Sequence, residues 1–193
     1  MHKTLLWEAL SAFSKTELRD LDRFVRSPFF NQKATRILLF DYLYACLRHH
    51  QSPDSAAAFA AVYPESPYDD QKMRLLNSDL LALTEEFQTA QAVLQQTHLR
   101  SIALPARYRQ RNLSKHHKIA LREARASLSN YPWRNAEYFD DMGALETEQY
   151  RSAASVKRFE EFNLQEISDL MDVAFIARKL RHTCFTLSHQ AVF

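Results

Sequence analysis

The residues best able to do chemistry lie between His98 and Ser127, where eight cations (Arg100, Arg107, Arg109, Arg111, Lys115, Lys118, Arg122 and Arg125) are opposed by Glu123 alone. This segment carries a formal charge of +7 in a chain whose total is +2, so the rest sums to −5. On one helix, Arg107, Arg111, Lys115, Lys118, Arg122 and Arg125 follow steps of three and four residues. They form a single stripe, roughly 27 Å long at about 1.5 Å per residue. Leu113, Ala120, Ala124 and Leu128 fall on the opposite side, the pattern of a docked helix with an exposed cationic ridge. Such a ridge attracts anions. Nucleic-acid phosphates are one class, with Tyr108 available to stack on a base. The acid-rich helix expected beyond the Asn130–Trp133 turn is a competing partner inside the chain. A nearly neutral total also weighs against a dedicated nucleic-acid binder.

Other constellations carry less. The eight histidines (His2, His49, His50, His98, His116, His117, His182 and His189) include neither H-E-x-x-H nor Glu-x-x-His spacing. Adjacent pairs such as His49-His50 and His116-His117 point about 100° apart on a helix, so they serve one metal poorly and read as solvated or capping residues. Between Glu137 and Asp172 acids outnumber bases, and a pair such as Glu160-Glu161 reads as a solvated helix end. Cys46 and Cys184 lack C-x-x-C spacing and fall among apolar helical positions, so both are expected as small buried hydrophobes in a reducing compartment.

A single glycine, Gly143, excludes more than these residues include. An average chain carries about 7% glycine. G-x-G-x-x-G, the P-loop and G-x-S-x-G cannot be written with one, which removes the usual signatures of dinucleotide, Walker-type nucleotide and α/β-hydrolase chemistry. Few glycine turns also means few β-hairpins, and the chain is expected to be all-α. No stretch approaches the roughly 20 apolar residues of a bilayer span, and the N-terminus lacks a signal-peptide core.

The elements that must position these groups follow from spacing. A short helix is expected over about 2–12. Ser14-Lys15-Thr16-Glu17 is a capping box opening a second helix, which Ser27-Pro28 ends before Phe29 and Phe30 turn inward. A third helix runs from about Lys33 to His50, and an alanine-rich fourth from Ser55 to Val62 stops at Pro64. Met73, Leu76, Leu80, Leu83, Phe87, Ala90 and Leu94 then make a long seam, read as intramolecular core. Pro105 is expected to break the pattern before a sixth helix over about 106–129. A seventh spans about Arg134–Ser152. An eighth begins near Asn163 and buries Ile167, Leu170, Ala174, Ala177, Leu180, Cys184 and Leu187. Gly143, inside the seventh, points to close helix packing. The apolar stretch Phe185–Phe193 suggests the N-terminal part of a longer protein.

The run Phe13-Ser14-Lys15-Thr16-Glu17-Leu18, continuing to Ser27-Pro28-Phe29-Phe30-Asn31, resembles the start of a group of larger, uncharacterised all-helical proteins of Bacteroidetes bacteria. Ala177-Arg178-Lys179-Leu180-Arg181 is similar to that group as well. The resemblance implies an all-helical, cytoplasmic, repeat-like protein and brings no activity. Ala120, Ala124, Leu128, Pro132 and Tyr138 are only loosely similar to tetratricopeptide repeats, because the tryptophan–leucine–glycine–tyrosine pattern is not met in register.

The expectation is therefore an all-α array of about eight helices in stacked antiparallel hairpins. A four-helix portion covers 1–64 and a longer-helix portion 65–193. The expected role is a non-catalytic, cytoplasmic scaffold, with no cofactor, metal or membrane, holding a protein or peptide partner. The alternative is a nucleic-acid-binding module acting through the 107–125 stripe.

Overall fold

The computed structural model of the chain describes residues 4–95, 97–154 and 164–192, among which nine helices and no strand occur. The side chains of His98 and Arg100, and Lys157, Arg158, Glu160, Glu161 and Asn163, lie outside the described residues. Contacts divide the chain into two compact units, Met1–Ala92 and Val93–Phe193.

In the first unit, α1 (Leu5–Ser11), α2 (Lys15–Val25), α3 (Ala34–Arg48), α4 (Ser55–Val62) and most of α5 (Asp70–Gln95) share one core. The capping box forms as read: Glu17 N–H donates to Ser14 Oγ at 3.2 Å, and Ser14 N–H donates to Glu17 Oε2 at 2.8 Å. The Ser14 hydroxyl also holds the Glu17 carboxyl below its usual range. The α5 seam is buried from Met73 through Leu76, Leu80 and Leu83 to Phe87, while Leu94 is exposed. Phe87 meets Phe24 of α2 edge-on at 5.4 Å. Pro64 separates α4 from α5 in sequence, yet Phe59, Val62, Met73 and Leu76 bury into the same cluster.

Phe29 does not turn inward: it is 84% exposed, and Phe30 is exposed along one edge while stacking on Phe24 at 4.0 Å. The buried anchor of that turn is Asn31, whose Nδ2 donates to Val25 O at 2.8 Å and whose Oδ1 accepts from Lys33 N–H at 3.0 Å. An amide satisfies the orphan carbonyl that a ring leaves bare.

The second unit holds α6 (Thr97–Gln110), α7 (Ser114–Ser129), α8 (Ala136–Ala154) and α9 (Leu164–Val192). Pro105 lies buried inside α6, not before it. The single helix expected over 106–129 is two, broken at Asn112 with φ 57°. There Leu113 N–H donates to Tyr108 O and Asn112 N–H to Arg109 O, both at 2.9 Å. This is the paired C-cap bond pattern that usually takes glycine. His50, φ 53°, closes α3 the same way through Gln51 N–H to Cys46 O at 2.9 Å. Asparagine and histidine thus supply left-handed turns in a chain nearly without glycine.

Helices α8 and α9 run antiparallel, since Arg178 pairs with Asp140 and Arg181 with Glu137. Gly143 is buried, and a Cβ placed there would sit 3.7 Å from Leu170 Cβ, an ordinary contact. Close packing therefore does not require glycine. Gly143→Ala is expected to stabilise the protein by up to about 1 kcal/mol, the helix-propensity difference. A lower melting temperature by circular dichroism would refute this.

The expected α9 face is largely unburied. Ala174 alone is buried, Ile167, Leu170 and Ala177 are half-buried, and Leu180, Cys184 and Leu187 are exposed. The reason is geometric: Arg181 reaches the first turn of α8, so residues 182–192 extend past the end of the helix they would pack on.

Candidate functional site

The elbow at Asn112 redistributes the cationic stripe. Arg107 sits on α6, where Nη1 donates to Gln110 Oε1 at 3.3 Å, and lines a hollow between α6 and α7 with Pro105, Ala120 and Ala124. Arg111 is exposed on the elbow, and Lys115 is exposed at the start of α7. Lys118, Arg122 and Arg125 line a different surface, an open groove of about 740 Å³ between α7 and α8. One continuous ridge does not exist. Arg107 faces one hollow and Lys118, Arg122 and Arg125 another.

The groove has an apolar floor from Leu121, Ala126 and Ala153, with Ser114, Ser129, Gln149 and Ser152 among its polar lining. Arg125 is bonded to Glu146 and, at 3.0 Å, to Gln149 Oε1, so α8 neutralises that cation. Lys118 and Arg122 are exposed and make no ion pair among the described residues. They form the charged rim. Ala120, Ala124 and Leu128 bury on the opposite side of α7 as expected, whereas Leu113 is exposed at the elbow.

Beside the groove lies a buried charge cluster that the expected elements do not include. Glu148, 2% exposed, accepts from Arg109 Nε at 2.6 Å and from Arg109 Nη2 at 3.3 Å. The Glu148 carboxylate pushes the Arg109 guanidinium further up in pKa, because the paired cation is favoured. His117 Nε2 stands 3.4 Å from Glu148 Oε1 without hydrogen-bond geometry.

His117 is therefore neither solvated nor capping. The signal for it was present: His117, Ala120, Ala124 and Leu128 step along one helix face, as do Asp141, Leu145 and Glu148, and all seven are buried. His117 borders the groove, but its side chain is only 3% exposed, so it presents almost no surface there. Cys184 is exposed and unpaired, in contrast to the buried Cys46.

Among the described residues, no group of three His, Cys, Asp or Glu side chains is arranged to hold a metal ion. No helix among them is long and apolar enough to cross a membrane.

No family model, curated protein or solved structure matches this chain. Geometry alone carries the functional argument.

Proposed function

We propose that this chain is a non-catalytic helical interaction scaffold of the cytoplasm that holds an acidic, amphipathic helix of a partner protein in the α7/α8 groove. The observation that carries this reading is the pairing of an apolar floor with a cationic rim at Lys118 and Arg122. Two neighbouring helices leave a trough that a third fills with its apolar face, and acidic residues flanking that face meet the rim. Free Cys46 and Cys184 suit a reducing compartment.

A nucleic-acid interface needs cations that track a phosphate backbone. The elbow directs Arg107 to one hollow and Lys118, Arg122 and Arg125 to another, which favours the protein ligand.

Fluorescence anisotropy tests this with a labelled amphipathic peptide of leucine and glutamate, about 20 residues long and so helical over about 30 Å. Lys118→Glu/Arg122→Glu is expected to weaken binding about tenfold or more, equivalent to about 1.4 kcal/mol. Peptide affinity indifferent to both reversals, with tighter binding of single-stranded RNA that high salt abolishes, would establish the nucleic-acid alternative instead.

A further inference from the structure

We propose that α9 binds α9 of a second copy of this chain, antiparallel, through the seam Val173–Ala177–Leu180–Cys184–Leu187–Ala191. This is independent of the groove between α7 and α8. Helix α9 packs Ile167, Leu170 and Ala174 against α8, and the adjoining seam, in which Ala177 is half-buried, is otherwise exposed among the described residues. Val173 is 41% exposed, Ile176 54%, and Leu180 and Leu187 61% each.

The spacing identifies what fits there. From Val173 to Ala191 the steps are four, three, four, three and four residues, the repeat of a coiled-coil seam. Large and small residues alternate along it. Placed antiparallel about a twofold axis between the copies, one register sets Val173 opposite Ala191, Ala177 opposite Leu187 and Leu180 opposite Cys184. Every layer then joins a large side chain to a small one, and the same register satisfies all of them. This is the self-complementarity that a twofold interface demands. A parallel, in-register pair would stack leucine on leucine and leave gaps at Ala177 and Ala191.

Charge points to the same occupant. The positions flanking the seam are Ala174, Ile176, Arg181, Thr183, Ser188 and Gln190, and the one charge among them, Arg181, is already bonded to Glu137 of its own chain. A strongly acidic or basic partner finds nothing to pair with, whereas a second uncharged seam meets no repulsion. The apolar area available over two copies is on the order of 1,000 Å², the lower limit for a specific interface. The dimer is accordingly weak, dissociating in the micromolar range.

Sedimentation equilibrium of the full chain from about 1 to about 300 µM is expected to show the mass rising from one chain towards two. Leu180→Glu/Leu187→Glu should remain monomeric throughout with unchanged far-UV circular dichroism, because both side chains are exposed. Orientation is read through thiols. The register displaces the two Cys184 residues along the axis by about 6 Å, beyond disulfide reach once helix separation is added. Mild oxidation should leave the wild type uncrosslinked, and Leu180→Cys should link to Cys184 of the second copy. A wild type that is monomeric at every concentration, or a dimer indifferent to the glutamates, overturns the proposal. Ready crosslinking through Cys184 alone overturns the antiparallel register. A monomer that floats with phosphatidylcholine vesicles, and loses this with the two glutamates, would assign the seam to a lipid surface.

Discussion

Arg109→Ala is expected to destabilise the α6–α8 region by about 3–5 kcal/mol, the cost of breaking a buried ion pair from one side. The asymmetry between partners makes this more than a generic loss. Glu148 keeps 3% of its side chain exposed and Arg109 29%. Removing the guanidinium strands a carboxylate with almost no access to water, and the nearby His117 lacks the geometry to replace two hydrogen bonds. Removing the carboxylate instead leaves a cation that reaches solvent, so Glu148→Gln should cost less, about 1–2 kcal/mol. Arg109→Met/Glu148→Met removes both charges while keeping bulk, and should recover most of the loss. Urea unfolding followed by far-UV circular dichroism ranks the three variants. Equal losses for Arg109→Ala and the double variant would mean that packing, not uncompensated charge, dominates.

Phe40→Ala is expected to cost the first unit a further-reaching loss of about 3–5 kcal/mol. Phe40 is fully buried in α3 among Leu39, Leu43, Phe59 and Leu80, and stacks on Tyr44 with centroids 5.6 Å apart. Its deletion leaves a void that the surrounding core fills only in part. Phe29→Ala provides the contrast: at 84% exposure, it should change stability by no more than about 0.5 kcal/mol. Trp7, packed against the same cluster, reports the unfolding by fluorescence. A Phe29→Ala loss comparable to that of Phe40→Ala would contradict the arrangement in which Asn31 anchors the turn.

Which features the sequence disclosed follows from the range of the interactions involved. The Ser14–Glu17 capping box, the α4 limits and the α5 seam from Met73 to Phe87 rest on neighbours within a turn or two and form as their spacing predicts, whereas the seam's expected end at Leu94 is exposed. The elbow at Asn112 escaped because helical periodicity continues across it without glycine or proline, and only a backbone angle marks the reversal. Glu148 and His117 escaped for a different reason. Each is a polar residue on an apolar helix face; Glu148 is satisfied by Arg109, 39 residues away, and His117 lies beside that pair without a hydrogen bond from Nε2. For α9, periodicity identified apolar faces but not whether a neighbour covers them. The chain of α8 ends its cover at Ala136, and Cys184 and Leu187 are exposed as a result.

The elbow has a consequence for topology. From Thr97 to Ser129 the local chemistry is that of one rod, and a single left-handed residue folds the rod into a hairpin. Straightening it gives up two backbone bonds at the cap and the packing of α7 against α6. Asn112 is therefore the residue on which closure of the hairpin, and with it the packing of α7 on α6, depends. Asparagine tolerates the left-handed conformation where a β-branched residue does not, and so holds the hairpin closed.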